Sequence, residues 1–516
     1  MSTTLKTLRR AAPLTLMSTG LIALVGCGGA LEEDDSYAYE SGDPYGDSYY
    51  GAPTSGAAND PAGPVEGNFE AAGWNPFIDT AEDNLATFSI DVDTASYTIM
   101  RRSINGGALP DPASVRVEEY INFFPYDYPA PSPDALTPFA IDLEAAPSPF
   151  GDGYQLLRVG VQGMELPAED APATNLVFLV DVSGSMSSSD KLGLVQYSLT
   201  TLVNHLRPQD TISLVTYAGA DRVVLPPTPV EARSTILAAI DDLAAGGSTN
   251  GAAGITTAYD LAEENYRDGG VNRVVLCTDG DFNVGLTGNS LVEYVAQRRE
   301  AGIFLSVMGY GSGNLNDSFI EDLTNQGNGH YSYIDSRNEA LRVLGDELIS
   351  TLQVIAKDVK IQVELDSDTV KSYRLIGYAN RVLEDHQFAD DSVDAGEIGA
   401  GHTVTAFLEL ELHEDATPDA DDLVQVRVRY KKPEGDESAE VTAVLPMSDV
   451  AADILDASPS FRFGAAVTEF GEILGDSPYS DDTLDSVHSL AAASMFSDAS
   501  SYAEFLDLVR AAQNIQ

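Results

Sequence analysis

The order of hydrophobic periods along the chain predicts an α/β protein. A central doubly wound, mostly parallel sheet is flanked by an antiparallel β unit and C-terminal helices. Three observations carry the prediction. From 174 to 352, apolar runs of strand length alternate with segments at helical spacing, as in a sheet covered by helices on both faces. From 356 to 446, apolar and polar residues alternate with a period of two. From 449 to 516 the helical spacing returns. The 516 residues suit two to four units of roughly 100–200 residues each.

The first element reads as an export signal over residues 1–27. Lys6, Arg9 and Arg10 form a basic start, and an apolar stretch runs from Leu14 to Val25, softened by Ser18 and Thr19. That stretch is too short for an ordinary membrane span. It ends in Leu24-Val25-Gly26-Cys27, which resembles a bacterial lipobox. The resemblance implies cleavage before Cys27 and attachment of a diacylglycerol to its thiol. Acyl chains contribute about 0.8 kcal/mol per buried methylene, so several on one residue anchor firmly. The expected product is exported and lipid-anchored in the cell envelope. Gly28 stands where an aspartate would suggest inner-membrane retention, which favours the outer membrane. Residues 28–73 read as a flexible acidic linker. Glu32-Glu33-Asp34-Asp35 and the Tyr, Ser, Gly, Asp and Pro of 36–67 lack apolar periodicity and cannot offset their ordering entropy.

Order is expected from Trp74, the only tryptophan, through an N-terminal flanking domain over 74–165. Asn84 to Tyr97, with Phe88, Ile90 and Val92 alternating, reads as a strand. Tyr97 to Asn105 reads as a helix stopped by Gly106-Gly107, and 115–124 as a second stopped by Pro125. Strands follow at 139–145 and 154–162. Asp91, Asp93 and Ser96 echo a metal-binding loop but lack its glycine and its final acidic ligand, so they read as a strand end and helix cap.

In the central domain, 174–352, Asn175 to Val182 is a continuous apolar run, as a strand buried on both faces requires. Further strands are expected at Asp210–Tyr217, Arg222–Leu225, Asn272–Thr278, Gly302–Tyr310 and His330–Ile334. Helices are expected at Leu192–Leu206, Arg233–Leu243, Gly254–Tyr266, Ser290–Arg299, Asp317–Asn325 and Arg337–Leu352. The last domain, 356–516, alternates through Val359–Leu365, Tyr373–Tyr378, His402–His413, Leu423–Tyr430 and Glu440–Leu445. It then turns helical at Phe461–Leu474, Leu484–Ala493 and Tyr502–Ala512. It is a candidate to pack with the N-terminal flank, with the central domain inserted between the two halves.

With 28 Lys+Arg against 81 Asp+Glu, a net charge of −53, the chain repels nucleic acid and favours divalent cations and basic partners. Cys27 and Cys277 cannot build a disulfide framework, and Cys277, inside an apolar strand, reads as an inert buried thiol. None of the six histidines has zinc-ligand spacing, and no nucleophile elbow is present.

The chemistry concentrates after the strand Asn175 to Val182, in Asp181-Val-Ser-Gly-Ser185. Ligands of open α/β sheets bind beyond the carboxyl ends of the strands. One carboxylate and two hydroxyls suit a hard cation with octahedral oxygen ligands, magnesium first and manganese or calcium next. Two further loops offer Thr249, within Gly246-Gly247-Ser248-Thr249-Asn250, and Asp279, within Thr278-Asp279-Gly280-Asp281. Asp190 and Asp281 are expected to deepen the negative field.

Together Asp181, Ser183, Ser185, Thr249 and Asp279 resemble the metal-ion-dependent adhesion site of von Willebrand factor type A domains, over residues 174–352. The resemblance implies a Rossmann-like fold. It also implies serine and threonine ligands, aspartates in the inner or outer ligand sphere, and an open coordination position often filled by a partner's carboxylate. Phe88-Ser-Ile-Asp-Val-Asp-Thr-Ala-Ser-Tyr97 and Asn122-Phe-Phe-Pro125 are similar to the N-terminal region of bacterial YfbK-type lipoproteins. Tyr373-Arg-Leu-Ile-Gly-Tyr-Ala-Asn-Arg381 and Asp394-Ala-Gly-Glu-Ile-Gly-Ala-Gly-His-Thr-Val404 are similar to their C-terminal region. That family implies no known biochemical activity.

The expected function is a non-enzymatic, metal-dependent adhesion module that binds an unknown protein through its Asp or Glu. One alternative is an envelope assembly protein whose metal only stiffens the loops. Another is a metal-dependent hydrolase, for which no candidate base beside an activated water is evident.

Overall fold

The computed structural model describes residues 65–516, apart from 133, 152, 168–170, 249–251, 281–287, 314, 348–351, 415, 417–421, 434, 495 and 498–499. The export signal, Cys27, most of the linker, Thr249 and Asp281 lie outside the described residues. In chain order the strands begin with β1 (Gly67–Asn68), β2 (Ile78–Asp79), β3 (Leu85–Ser89), β4 (Phe139–Pro147) and β5 (Tyr154–Gly163). The central stretch contributes β6 (Thr174–Asp181), β7 (Thr211–Tyr217), β8 (Asp221–Pro229), β9 (Val271–Thr278), β10 (Phe304–Tyr310), β11 (Leu315–Asn316) and β12 (Tyr331–Ile334). Then follow β13 (Val354–Leu365), β14 (Val370–Ile376), β15 (Ile398–Gly399), β16 (Thr403–Leu412), β17 (Asp422–Lys431) and β18 (Ser438–Pro446).

The central sheet runs β12-β10-β9-β6-β7-β8, parallel except for β8. Every residue of β6 is buried. Its side chains alternate between two cores. Leu176, Phe178 and Val180 meet the helix Leu192–His205 through Leu199 and Leu202. Val177 and Leu179 meet the helix Ala252–Glu264 through Ile255 and Tyr259. This two-sided burial explains why β6 has no polar alternation. The edge strand β8 carries Pro226, Pro227 and Pro229, which offer no ladder donors. At the other edge, the Tyr331 amide donates to Asp93 Oδ1 at 2.8 Å, and the Thr98 hydroxyl donates to the Tyr333 carbonyl at 2.8 Å. Both partners come from the N-terminal flank.

Two five-stranded antiparallel sheets surround a second core. One is β15-β13-β17-β18 with β3 beside β13; the other is β2-β14-β16-β5-β4. Phe88, Leu157 and Val161 pack there with Ile361, Leu408 and Val426. Strands from both sides of the central stretch therefore share these sheets: β3 pairs with β13, and β5 with β16. The helices Pro459–Leu474, Leu484–Ala493 and Ser500–Ile515 close an aromatic core with the N-terminal flank. There Phe124 lies 5.1 Å from Phe463 and 5.7 Å from Phe505, ring centre to ring centre.

Several local expectations change. The strand expected over Asn84–Tyr97 stops at Ser89, and a helix starts at Ala95. Between them Asp91 Oδ1 accepts the Asp93 amide at 3.1 Å, which turns the chain. The cap reading of Asp91 and Asp93 fails as well: Thr94 is the N-cap, without a side-chain cap bond, and both carboxylates face Arg381 instead. The helix expected over 115–124 spans only Val117–Ile121, because Phe123 and Phe124 turn into the aromatic core. The helix expected over Arg337–Leu352 is α-helical to Leu341 and widens into a π-helix over Arg342–Asp346. There Arg342 bonds both Glu339 and Glu347. The end of the linker is not free: Val65 is buried in the central core, and β1 pairs with β11.

Candidate metal centre

The strand order places the candidate residues. β6 and β9 are parallel neighbours with Val180 opposite Cys277, so Asp181 and Asp279 leave adjacent strand ends. Both are almost fully buried, at 0% and 2% exposure, while Ser185 is exposed. Asp181 Oδ1 accepts the Ser183 amide at 2.7 Å, which folds the loop back on the strand. The Ser183 and Ser185 hydroxyls hydrogen-bond each other at 2.9 Å.

The third loop is docked on the first. The Gly246 amide donates to the Val182 carbonyl at 2.7 Å, and the Gly184 amide donates to the Gly247 carbonyl at 3.1 Å. Gly247 holds this turn at φ +96°, where a side chain would be strained. The structure thus brings Asp181, Ser183, Ser185 and Asp279 together; Thr249 lies outside the described residues.

The donor set fits a cation. Asp279 Oδ1 is buried and accepts no hydrogen bond among the described residues; Asp181 Oδ2 is equally buried, with the Tyr217 hydroxyl beside it. A buried carboxylate oxygen without a partner is costly, and a divalent cation supplies what it lacks. Burial pushes the Asp181 carboxyl up from its ordinary value, against the Ser183 hydrogen bonds, and the Asp279 charge adds to the rise.

Lys191 was not among the expected residues. Its ammonium bonds Asp279 Oδ2 at 2.8 Å, with 15% of the side chain exposed. The sequence carries a signal for it: Lys191 is the N-cap of the helix Leu192–His205, where a cation opposes the helix dipole. A lysine held there needs an acid nearby. Asp190, expected to deepen the field, is engaged elsewhere; its two oxygens accept from Arg102 and Ser188. Those bonds hold its carboxyl below the ordinary value despite burial. Burial pushes the Cys277 thiol up to about 12, so it stays protonated beside the site. His402 packs against His330 with ring centres 6.0 Å apart, and burial pushes it down to about 4.

Residues 175–347 match the family described as von Willebrand factor type A domain, 64–158 that described as von Willebrand factor, and 350–515 that described as Uncharacterized protein YfbK, C-terminal. The chain is 40% identical over 478 residues to Uncharacterized protein YfbK of Escherichia coli (strain K12), covering 88% of this chain and 82% of that protein. It is 28% identical over 159 residues to inter-alpha-trypsin inhibitor heavy chain H4 of Homo sapiens, covering 29% of this chain and 17% of that one. Among solved structures, von Willebrand factor type A from Catenulispora acidiphila aligns at a TM-score of 0.42 with 13% identity, over 73% of this chain and 91% of that one.

Proposed function

This chain belongs to the YfbK family and carries a von Willebrand factor type A domain, and from that premise we propose that it is a metal-dependent protein-docking module of the cell envelope. Asp181, Ser183, Ser185, Thr249 and Asp279 would hold one divalent cation, Mg2+ or else Mn2+ or Ca2+. When bound, the cation supplies an open coordination position for an Asp or Glu of a partner protein. The observation that supports this most is the buried Asp279 Oδ1 with no hydrogen-bond partner among the described residues, at the strand end next to that of Asp181. The chain's own residues do the positioning. The Ser183 amide fixes Asp181, the Gly247 carbonyl fixes the serine loop, and Lys191 holds the other Asp279 oxygen. Lipid attachment at Cys27 would tether the module to a membrane, the outer one by preference.

Calorimetric titration of the chelator-treated chain with MgCl2 and MnCl2, paired with capture from envelope extract, tests this reading. Saturable one-to-one cation binding and metal-dependent capture are expected, both lost in Asp181→Ala. No cation binding, or capture that survives EDTA and Asp181→Ala alike, overturns it. Chelation that lowers thermal stability while capture persists would assign the metal a purely stiffening role.

A further inference from the structure

The last residues of the linker reach the surroundings of the candidate metal centre. Val65 to Asn68 form a strap on the central domain: β1 runs parallel to β11, with Gly67 opposite Leu315. Val65 is 8% exposed and joins the core of Leu315, Ile320 and Tyr333. The strap has two polar moorings. The Val65 amide donates to Ser103 Oγ at 3.5 Å, and the Glu66 amide donates to the Ser312 carbonyl at 2.8 Å. The Glu66 carbonyl in turn accepts the Leu315 amide at 3.2 Å.

Each mooring stands one residue from a group that positions Lys191. Before Ser103 comes Arg102, whose Nη2 holds Asp190 Oδ2 at 2.6 Å, and Asp190 precedes Lys191 in the chain. Before Ser312 comes Gly311, at φ +78°, with the Lys191 stem laid against it. A β carbon at Gly311 would fall 2.7 Å from Lys191 Cγ. The Tyr333 hydroxyl donates to the Gly311 carbonyl and fixes that turn. From this support the Lys191 ammonium reaches Asp279 Oδ2 at 2.8 Å.

A lysine stem has four rotatable bonds and loses their freedom when it is held in one geometry. Here the Gly311 turn and the Arg102–Asp190 pair hold it, and the strap is hydrogen-bonded to a neighbour of each. Asp279 Oδ2 serves the ammonium or a divalent cation, since two cations on one oxygen repel each other.

We propose that the strap is an internal brake on this centre: docked, it keeps Lys191 on Asp279 against an incoming cation, and undocked, it lets the lysine leave. This rests on the metal-binding reading above and adds its regulation. By linkage, a cation that displaces Lys191 loosens the strap by the same factor, so occupancy of the centre is felt at the end of the linker.

Gly67→Val releases the strap, because a β carbon there would meet the Leu315 carbonyl oxygen at 2.7 Å and the Phe69 ring at 2.8 Å. Glu66→Pro, which removes the amide that Ser312 accepts, replaces it if circular dichroism shows Gly67→Val misfolded. Faster hydrogen exchange over residues 65–70 of the full chain verifies release. Two quantities are then compared with wild type. One, in EDTA, is the rate at which N-hydroxysulfosuccinimide acetate modifies Lys191, read by peptide mass spectrometry. The other is the magnesium dissociation constant from calorimetry. Release should speed the acetylation threefold or more and lower the dissociation constant by a similar factor. In a Lys191→Met background it should leave the constant unmoved. Unchanged acetylation overturns the proposal, as does a constant that release does not lower, or lowers equally without Lys191. Should no chain bind magnesium, the metal reading falls and the acetylation rate alone decides whether the strap holds Lys191.

Discussion

Arg116→Met is the most informative perturbation of the join between the flank and the central domain. Arg116 is 5% exposed; its Nη1 lies 2.6 Å from Asp317 Oδ2 in the central domain, and its Nε bonds Glu119. Their side chains are 1% and 0% exposed, with Glu321 and Asp91 near enough to add repulsion. Methionine preserves the bulk and removes the charge, leaving two buried carboxylates uncompensated. Removing one partner of a buried pair costs about 3–5 kcal/mol. Burial already pushes Glu119 up to about 8 against Arg116. Its folded value lies above its unfolded one, so its favourable contribution is present at low pH and lost as pH rises through about 8. The variant raises that value further, so its deficit relative to wild type grows with pH. Urea unfolding followed by fluorescence of Trp74, which packs on the aromatic core, reads this at about pH 5.5 and about pH 8.5. A deficit under about 1 kcal/mol at the higher pH, or one equal at both, refutes the reasoning.

Magnesium at 100 times its dissociation constant should stabilise the wild type by about 2.7 kcal/mol, read as a rise in unfolding temperature, and should leave Asp181→Ala unmoved. Lys191→Met should tighten divalent-cation binding roughly tenfold by freeing Asp279 Oδ2, since a charged hydrogen bond contributes about 1.5–3 kcal/mol. An unchanged dissociation constant in calorimetry would show that the ammonium does not compete. His402 sits at about 4, below its ordinary value, so the stability its burial permits is present above pH 6.5 and lost as pH falls through 4. His402→Gln should flatten that acid limb by on the order of 3 kcal/mol, and an unaltered pH profile of unfolding would count against it.

Much of the central sheet could be read locally. β6 announces itself because burial on both faces leaves an uninterrupted apolar run, and the candidate metal loop follows because ligands of open α/β sheets bind beyond the strands' carboxyl ends. The pairing of β3 with β13 and of β5 with β16 could not be read that way, since hydrophobic alternation says which face is buried but not which distant strand lies alongside. The turn at Asp91–Asp93 was misread because Ile90 and Val92 continue the alternation, while the carboxylates of that turn are answered by Arg381, almost three hundred residues later. Lys191 escaped for a related reason. Its misfit at a helix start is visible in the sequence, but its partner Asp279 arrives on another strand. The five expected metal residues divide similarly: four are brought together, and Thr249 lies outside the described residues.

Asp93 and Thr98 occupy the outward backbone groups of β12, while the prolines of β8 blunt the opposite margin. The central domain therefore owns only one of its two terminators; the other is lent by the flank. Cut out as residues 174–352, it would present β12 as an open template on which a second copy could lay a strand. The N-terminal flank thus closes this margin within the same chain.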